Sequence, residues 1–273
     1  ASTGPSDIDL NIPRGRKAGR YDVAVVIGNR NYRHGVSNVD FALADARIMR
    51  KYLEATMGFD PKNILYAENA GKAAFEKLFG NESTHEGQLF DYIREGESRV
   101  FVYYVGHGAP DLDSGEAYFV PVDADPQYLS TSGYRLKTLY DNLAKLPVKV
   151  LTVVIDACFS GFPEGGRIFT GILPASVRVD RKLKGPEHAL VFTSGQADQV
   201  STWYPEKRHN LFTYFFLKGL GGAADNNHDW KVTVSEMKDY LADNVTPMAR
   251  KLKSITQQPQ VTGPDEQVLT ELK

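Results

Sequence analysis

Three strongly apolar runs limit the folds open to this chain. Residues 23–27 and 100–105 are apolar throughout, and residues 148–155 are apolar except at Lys149 and Thr152. A half-exposed strand alternates polar and apolar side chains. A run that is apolar at every position needs cover on both faces, as the central strands of a parallel sheet have. Each run also ends on something distinctive: Gly28 after the first, Gly106-His107-Gly108 after the second, Asp156-Ala157-Cys158 after the third.

Helical and strand patterns alternate around these runs. A helix is expected over 39–57, with Asn38 able to cap it and Gly58 to stop it. A strand follows over 63–67, then a helical stretch broken near Gly80, a strand or hairpin arm over 118–122, and an amphipathic helix over 136–146. Residues 189–193 read as a strand, 210–220 as an aromatic-rich helix and 234–248 as the last helix. This alternation predicts an α/β fold with a mostly parallel sheet covered by helices on both faces. With 273 residues, 42% of them hydrophobic, one large domain over 21–273 is expected. Residues 1–20, polar and holding Pro5, Pro13 and four basic side chains, read as a flexible N-terminal arm.

Lysine and arginine number 32 against 34 acidic residues, so no basic surplus supports nucleic-acid binding. No apolar run approaches the roughly 18 residues that a membrane helix needs, so a soluble protein without a membrane partner is expected. The oligomeric state has no signature.

The chain holds one cysteine, which rules out an internal disulfide and a thiolate metal cluster. A lone cysteine is commonly a small buried hydrophobe. Cys158, however, follows one apolar strand as His107 follows another, and the carboxyl ends of parallel strands share one edge, where sites form. A nearby imidazole can activate a thiol and later protonate a leaving amine. Gly108 permits close approach of a substrate, and its N–H could join that of Cys158 in holding an oxyanion.

Tyr103-Tyr104-Val105-Gly106-His107-Gly108 and Asp156-Ala157-Cys158-Phe159-Ser160-Gly161 resemble the two signature segments of the caspase-like cysteine peptidases (family C14, clan CD), a group that holds caspases, metacaspases and their prokaryotic relatives, the orthocaspases. The opening Val25-Val26-Ile27-Gly28-Asn29, then Asn31-Tyr32, then Ala42-Leu43-Ala44-Asp45-Ala46 is similar to that group's first strand and helix. The 51 residues from His107 to Cys158 agree with the caspase spacing of about 50. The resemblance spans residues 21–263 and implies the caspase-hemoglobinase fold. That fold has a six-stranded, mostly parallel sheet with helices on both faces and a final antiparallel strand near 258–262. It also implies a cysteine endopeptidase with a His107–Cys158 dyad, no required cofactor, a peptide or protein substrate, and a bacterial cytoplasmic or periplasmic setting.

Asp156 lies two residues before Cys158 and would hinder thiolate formation unless aimed at a cationic substrate. Asp45 sits on the apolar stripe of its helix with Ala42, Ala46, Met49 and Leu53, so its carboxylate needs a partner. Both positions match acids that line the first specificity pocket of metacaspase-like members, implying cleavage after Arg or Lys. The alternative is that both acids cap loops or pair internally. Ser194, Gln196 and Trp203 are candidates for the substrate groove.

The Gly-, Pro- and Lys/Arg-rich stretch 160–188 holds Arg167, Arg178, Arg181, Lys182 and Lys184, which would suit self-processing or simply be solvated. Asp225, Asn227, Asp229, Thr233 and Glu236 occupy positions one, three, five, nine and twelve of a calcium-loop pattern, with Trp230 where glycine normally stands. A second acidic group, Asp111, Asp113, Glu116, Asp123 and Asp125, is a weaker calcium candidate. A catalytically silent scaffold of the same fold that binds peptides or partner proteins is the main rival. A nucleotide-binding domain is disfavoured, because Gly28-Asn29-Arg30-Asn31-Tyr32 lacks the glycine-rich phosphate loop.

Overall fold

The computed structural model describes residues 4–111, 114–159, 189–196 and 199–273. In chain order the strands are β1 (Val23–Gly28), β2 (Ile64–Glu68), β3 (Arg99–Val105), β4 (Gly108–Pro110), β5 (Ala117–Phe119), β6 (Tyr134–Arg135), β7 (Val150–Asp156), β8 (Ala189–Thr193), β9 (Trp203–Tyr204), β10 (His209–Asn210), β11 (Lys231–Thr233), β12 (Gln260–Thr262) and β13 (Val268–Glu271). The helices are α1 (Asp7–Leu10), α2 (Ala42–Ala55), α3 (Lys72–Phe79), α4 (Gln88–Asp91), α5 (Leu129–Ser132), α6 (Leu136–Ala144), α7 (Leu211–Lys218) and α8 (Val234–Lys253).

Six strands form the main sheet in the order β12-β8-β7-β3-β1-β2. All neighbours are parallel except β12, which runs antiparallel to β8. The apolar runs alternate between two cores. Ala24, Val26, Phe101, Tyr103, Val105 and Val154 face α2, α7 and α8, whereas Val25, Ile27, Val102, Tyr104, Val153 and Ile155 face α3 and α6. Cover on both faces explains why these strands stay so apolar up to their carboxyl ends.

Three expectations change. Helix α2 starts at Ala42, and Asn38 does not cap it. The preceding residues are held in a loop instead, with Val39 N–H donating to Arg30 O and Val36 N–H to Arg33 O. Helix α8 continues through Pro247 to Lys253. The segment expected to be a flexible arm is docked: Ser6 and Ile8 are buried, Asp7 bonds Lys207 and Tyr214, and Gly15 N–H donates to Ala55 O. Gly15 and Arg16 meet Leu272 and Glu271 at the end of β13, a strand that the apolar pattern of the sequence does not announce. Of the basic residues there, Arg14 and Arg16 border the end of this strand.

Candidate active site

Register does the positioning. Val105 at the end of β3 pairs with Asp156 at the end of β7, so His107 and Cys158 each stand two residues beyond a paired position on adjacent parallel strands. Neighbouring strands lie about 4.8 Å apart, which sets the scale of their separation. Both residues line one cavity, together with Val39, Gly106, Asp156, Ala157, Ser201, Trp203 and Asn210. The cavity is narrow: Cys158 is 6% exposed and His107 2%.

His107 Nε2 lies 2.7 Å from Ser37 O. A carbonyl only accepts, so Nε2 carries the hydrogen and the neutral ring keeps its lone pair on Nδ1. Burial lowers the His107 pKa to about 4, against the opposing bond to Ser37. At neutral pH the imidazole is therefore an unprotonated base. Cys158 Sγ accepts the Ser201 backbone N–H, a contact that favours sulfur bearing negative charge.

Gly108 opens β4. Val120 N–H donates to His107 O, which makes Gly108 and Phe119 a pair of the non-hydrogen-bonded kind, with the Gly108 N–H turned away from β5. A Cβ on Gly108 would lie 2.7 Å from the Phe159 ring and 2.9 Å from Cys158 O, so glycine is required for the β3 and β7 extensions to meet.

Asp156 is 2% exposed. Its Oδ2 accepts from Thr213 Oγ1 at 2.7 Å and Thr213 N–H at 3.3 Å, while its Oδ1 is buried with no hydrogen-bond partner among the described residues. Burial, with the nearby Asp45 charge, pushes its pKa up to about 7 despite the Thr213 bonds.

Asp45 is engaged inside the protein. Its Oδ1 lies 2.6 Å from His209 Nδ1 and its Oδ2 accepts the Asn210 N–H at 3.0 Å, so both oxygens are engaged inside the protein and the residue does not line the cavity. Burial raises the Asp45 pKa against these bonds. Burial alone would lower that of His209, but Asp45 and Asp9, whose Oδ2 is 3.3 Å from Nε2, hold it above the usual imidazole range. The pair fixes β10, whose Asn210 does line the cavity.

The groove candidates divide. Trp203 lines the cavity, edge-on to Phe41. Ser194 is buried, bonded to Ala157 O and to Ser201 Oγ, and supports the site from beneath. Gln196 turns toward Gln199 and Gln258 instead. Arg167, Arg178, Arg181, Lys182 and Lys184 lie outside the described residues, as does Asp113.

In the calcium-loop segment, Trp230 itself takes the left-handed backbone expected of glycine (φ 67°). Asp225 accepts from Asp229 and Trp230 N–H groups, Asn227 from Asp229 and Asp229 from Lys231, while Thr233 and Glu236 form the capping box of α8. These side chains order a turn and a helix start. Among the described residues no group of three or more His, Cys, Asp or Glu is placed to hold a metal. No described helix is long and apolar enough to cross a membrane.

Tyr32, Ser37, Ser201, His209, Asn210 and Thr213 receive no role from the sequence alone. Ser37 O and the Ser201 N–H are backbone atoms, which side-chain identity does not reveal, and His209 looks like any loop histidine until the fold pairs it with Asp45.

An imidazole and a thiol thus stand beyond adjacent strand ends of a mostly parallel sheet. The caspase domain family, peptidase C14, matches residues 22–267, and the chain belongs to it, a family of cysteine-type endopeptidases. The structure is similar to that of caspase-1 from Spodoptera frugiperda, with a TM-score of 0.60 and 15% identity over 99% of this chain and 94% of that one. It is also similar to a protein from Geobacter sulfurreducens, with a TM-score of 0.54 and 16% identity over 92% and 99%. No curated protein matches the chain.

Proposed function

We propose that the chain hydrolyses peptide bonds on the carboxyl side of Arg or Lys, with Cys158 as nucleophile and His107 as general base. The observation that carries the reading is the shared cavity: His107, whose neutral ring keeps its lone pair on Nδ1, Cys158 and Asp156 line one space. His107 Nδ1 takes the Sγ proton as sulfur attacks the scissile carbonyl, and the Gly108 and Cys158 N–H groups receive the oxyanion. The imidazolium then protonates the leaving amine, and water, deprotonated by the same nitrogen, releases the acyl group. Asp156 pairs with the basic side chain, while Asp45, through His209 and Asn210, holds the pocket wall. Self-processing at a basic residue in 160–188 fits the same preference.

The test compares fluorogenic peptides ending in Arg, Lys and Asp, with Cys158→Ala as control, and follows the intact mass during incubation with and without calcium. Arg and Lys turnover abolished by the control supports the reading. Equal turnover of Asp peptides refutes the cationic pocket. Folded wild-type protein inert toward all three would favour the silent scaffold, to which the low exposure of Cys158 lends some weight.

A further inference from the structure

The segment between β1 and α2 stands out in the sequence, but the dyad chemistry leaves most of it without a role. It is tied down locally: Asn29 exchanges bonds with Ala70 N–H (2.7 Å) and Ala70 O (3.1 Å), and Asn69 Oδ1 accepts from Arg30 and Asn31 N–H groups at 3.1 and 2.8 Å. Tyr32 then reaches the catalytic loop. Its hydroxyl oxygen accepts the His107 backbone N–H at 2.8 Å, and its ring lies 4.6 Å from the imidazole at 42°. From β3, the Tyr104 hydroxyl donates to His107 O at 2.7 Å. The two phenols thus hold both ends of one residue. A Cβ on Gly106 would lie 2.6 Å from each of their oxygens, so glycine before His107 makes room for the pair.

We infer that Tyr32 is a positioning residue for the general base, fixing the His107 main chain with its hydroxyl and the imidazole with its ring while Ser37 O, on the same segment, fixes Nε2. Three grips from one segment leave the ring a single setting, with Nδ1 kept for proton transfer. This rests on His107 being the base. Tyr32, Tyr104, Cys158 and Asp156 are the titratable groups around the ring.

The experiment compares wild type with Tyr32→Phe, which keeps the ring and removes the acceptor, and with Tyr104→Phe, which cuts the other end. Turnover of Arg peptides is measured against pH, and the imidazole of His107, assigned with a His107→Ala variant, is titrated by NMR. Tyr32→Phe is expected to lower kcat by about 10- to 100-fold, with KM within about two-fold. The acid limb and the NMR midpoint both move upward, because a released ring gains solvent and its protonated form is penalised less. Tyr104→Phe should act in the same direction. A lower melting temperature with kcat and the His107 titration unmoved would reduce Tyr32 to a structural side chain and overturn the inference. If wild type cleaves none of the peptides, the peptidase reading falls on its own, while the NMR midpoint still decides whether Tyr32 positions the ring.

Discussion

Burial lifts the Asp156 carboxyl to about 7, well above the usual carboxylate range. A basic substrate side chain needs the ionised form. KM for Arg peptides is therefore expected to fall as pH rises through about 7, measured by steady-state kinetics from mildly acidic to mildly basic buffer. The stability effect has the opposite sign: a folded-state pKa above the unfolded one means stability is lost as pH climbs toward 7. Asp156→Asn, which mimics the protonated form, should melt higher than wild type in mildly basic buffer and yet lose Arg turnover. Unchanged Arg kinetics would remove Asp156 from the pocket. Asp45 should behave differently. With Asp45 and His209 almost fully buried, Asp45→Ala removes the partner of His209 Nδ1 and the acceptor of the Asn210 N–H, which costs about 3–5 kcal/mol in urea unfolding. A small cost with a large rise in KM would restore it to the substrate pocket. At this scale the meeting of His107, Cys158 and Asp156 at one cavity was legible, because each ends or follows an apolar strand. The two acids could not be told apart, since the choice of partner depends on where β10 and α7 pack.

Among the elements, the central strands were legible because burial on both faces leaves a predominantly apolar run. Helix α2 was placed to within three residues at its start, but its cap was not. Whether Asn38 caps depends on the loop that presents Ser37 to His107, a long-range demand that local propensity does not contain. The N-terminal segment misled for a related reason. Its few apolar residues look insufficient for order, but Ile8 fits into the core beside α7 and Asp9 completes the contacts of His209. Ile8→Ala is expected to lower stability by about 2 kcal/mol. Chemical denaturation checks this. No change would mean that the segment is a passive cover.

On the scale of the whole molecule, the two hydrophobic cores share β1, β3, β7 and β8, since alternate residues of each strand belong to opposite faces. Neither core can melt while the other keeps its strands. Unfolding should be a single transition, with far-ultraviolet circular dichroism coinciding with the fluorescence of Trp203 and Trp230. Separate midpoints would show that one helical layer detaches first. Fold class follows from sequence pattern because the sheet is built from local runs, whereas the site needs contacts such as Asp45–His209 between residues far apart in the chain.

The pairing of Val105 with Asp156 has a consequence for how such a molecule can diversify. The spacing of the two strand ends that precede His107 and Cys158 is measured out by the pitch of the sheet, a quantity common to all parallel strands. Lengthening, shortening or replacing the surrounding connections leaves that spacing untouched. The lining of the cavity can therefore drift freely while the two strand ends stay in step.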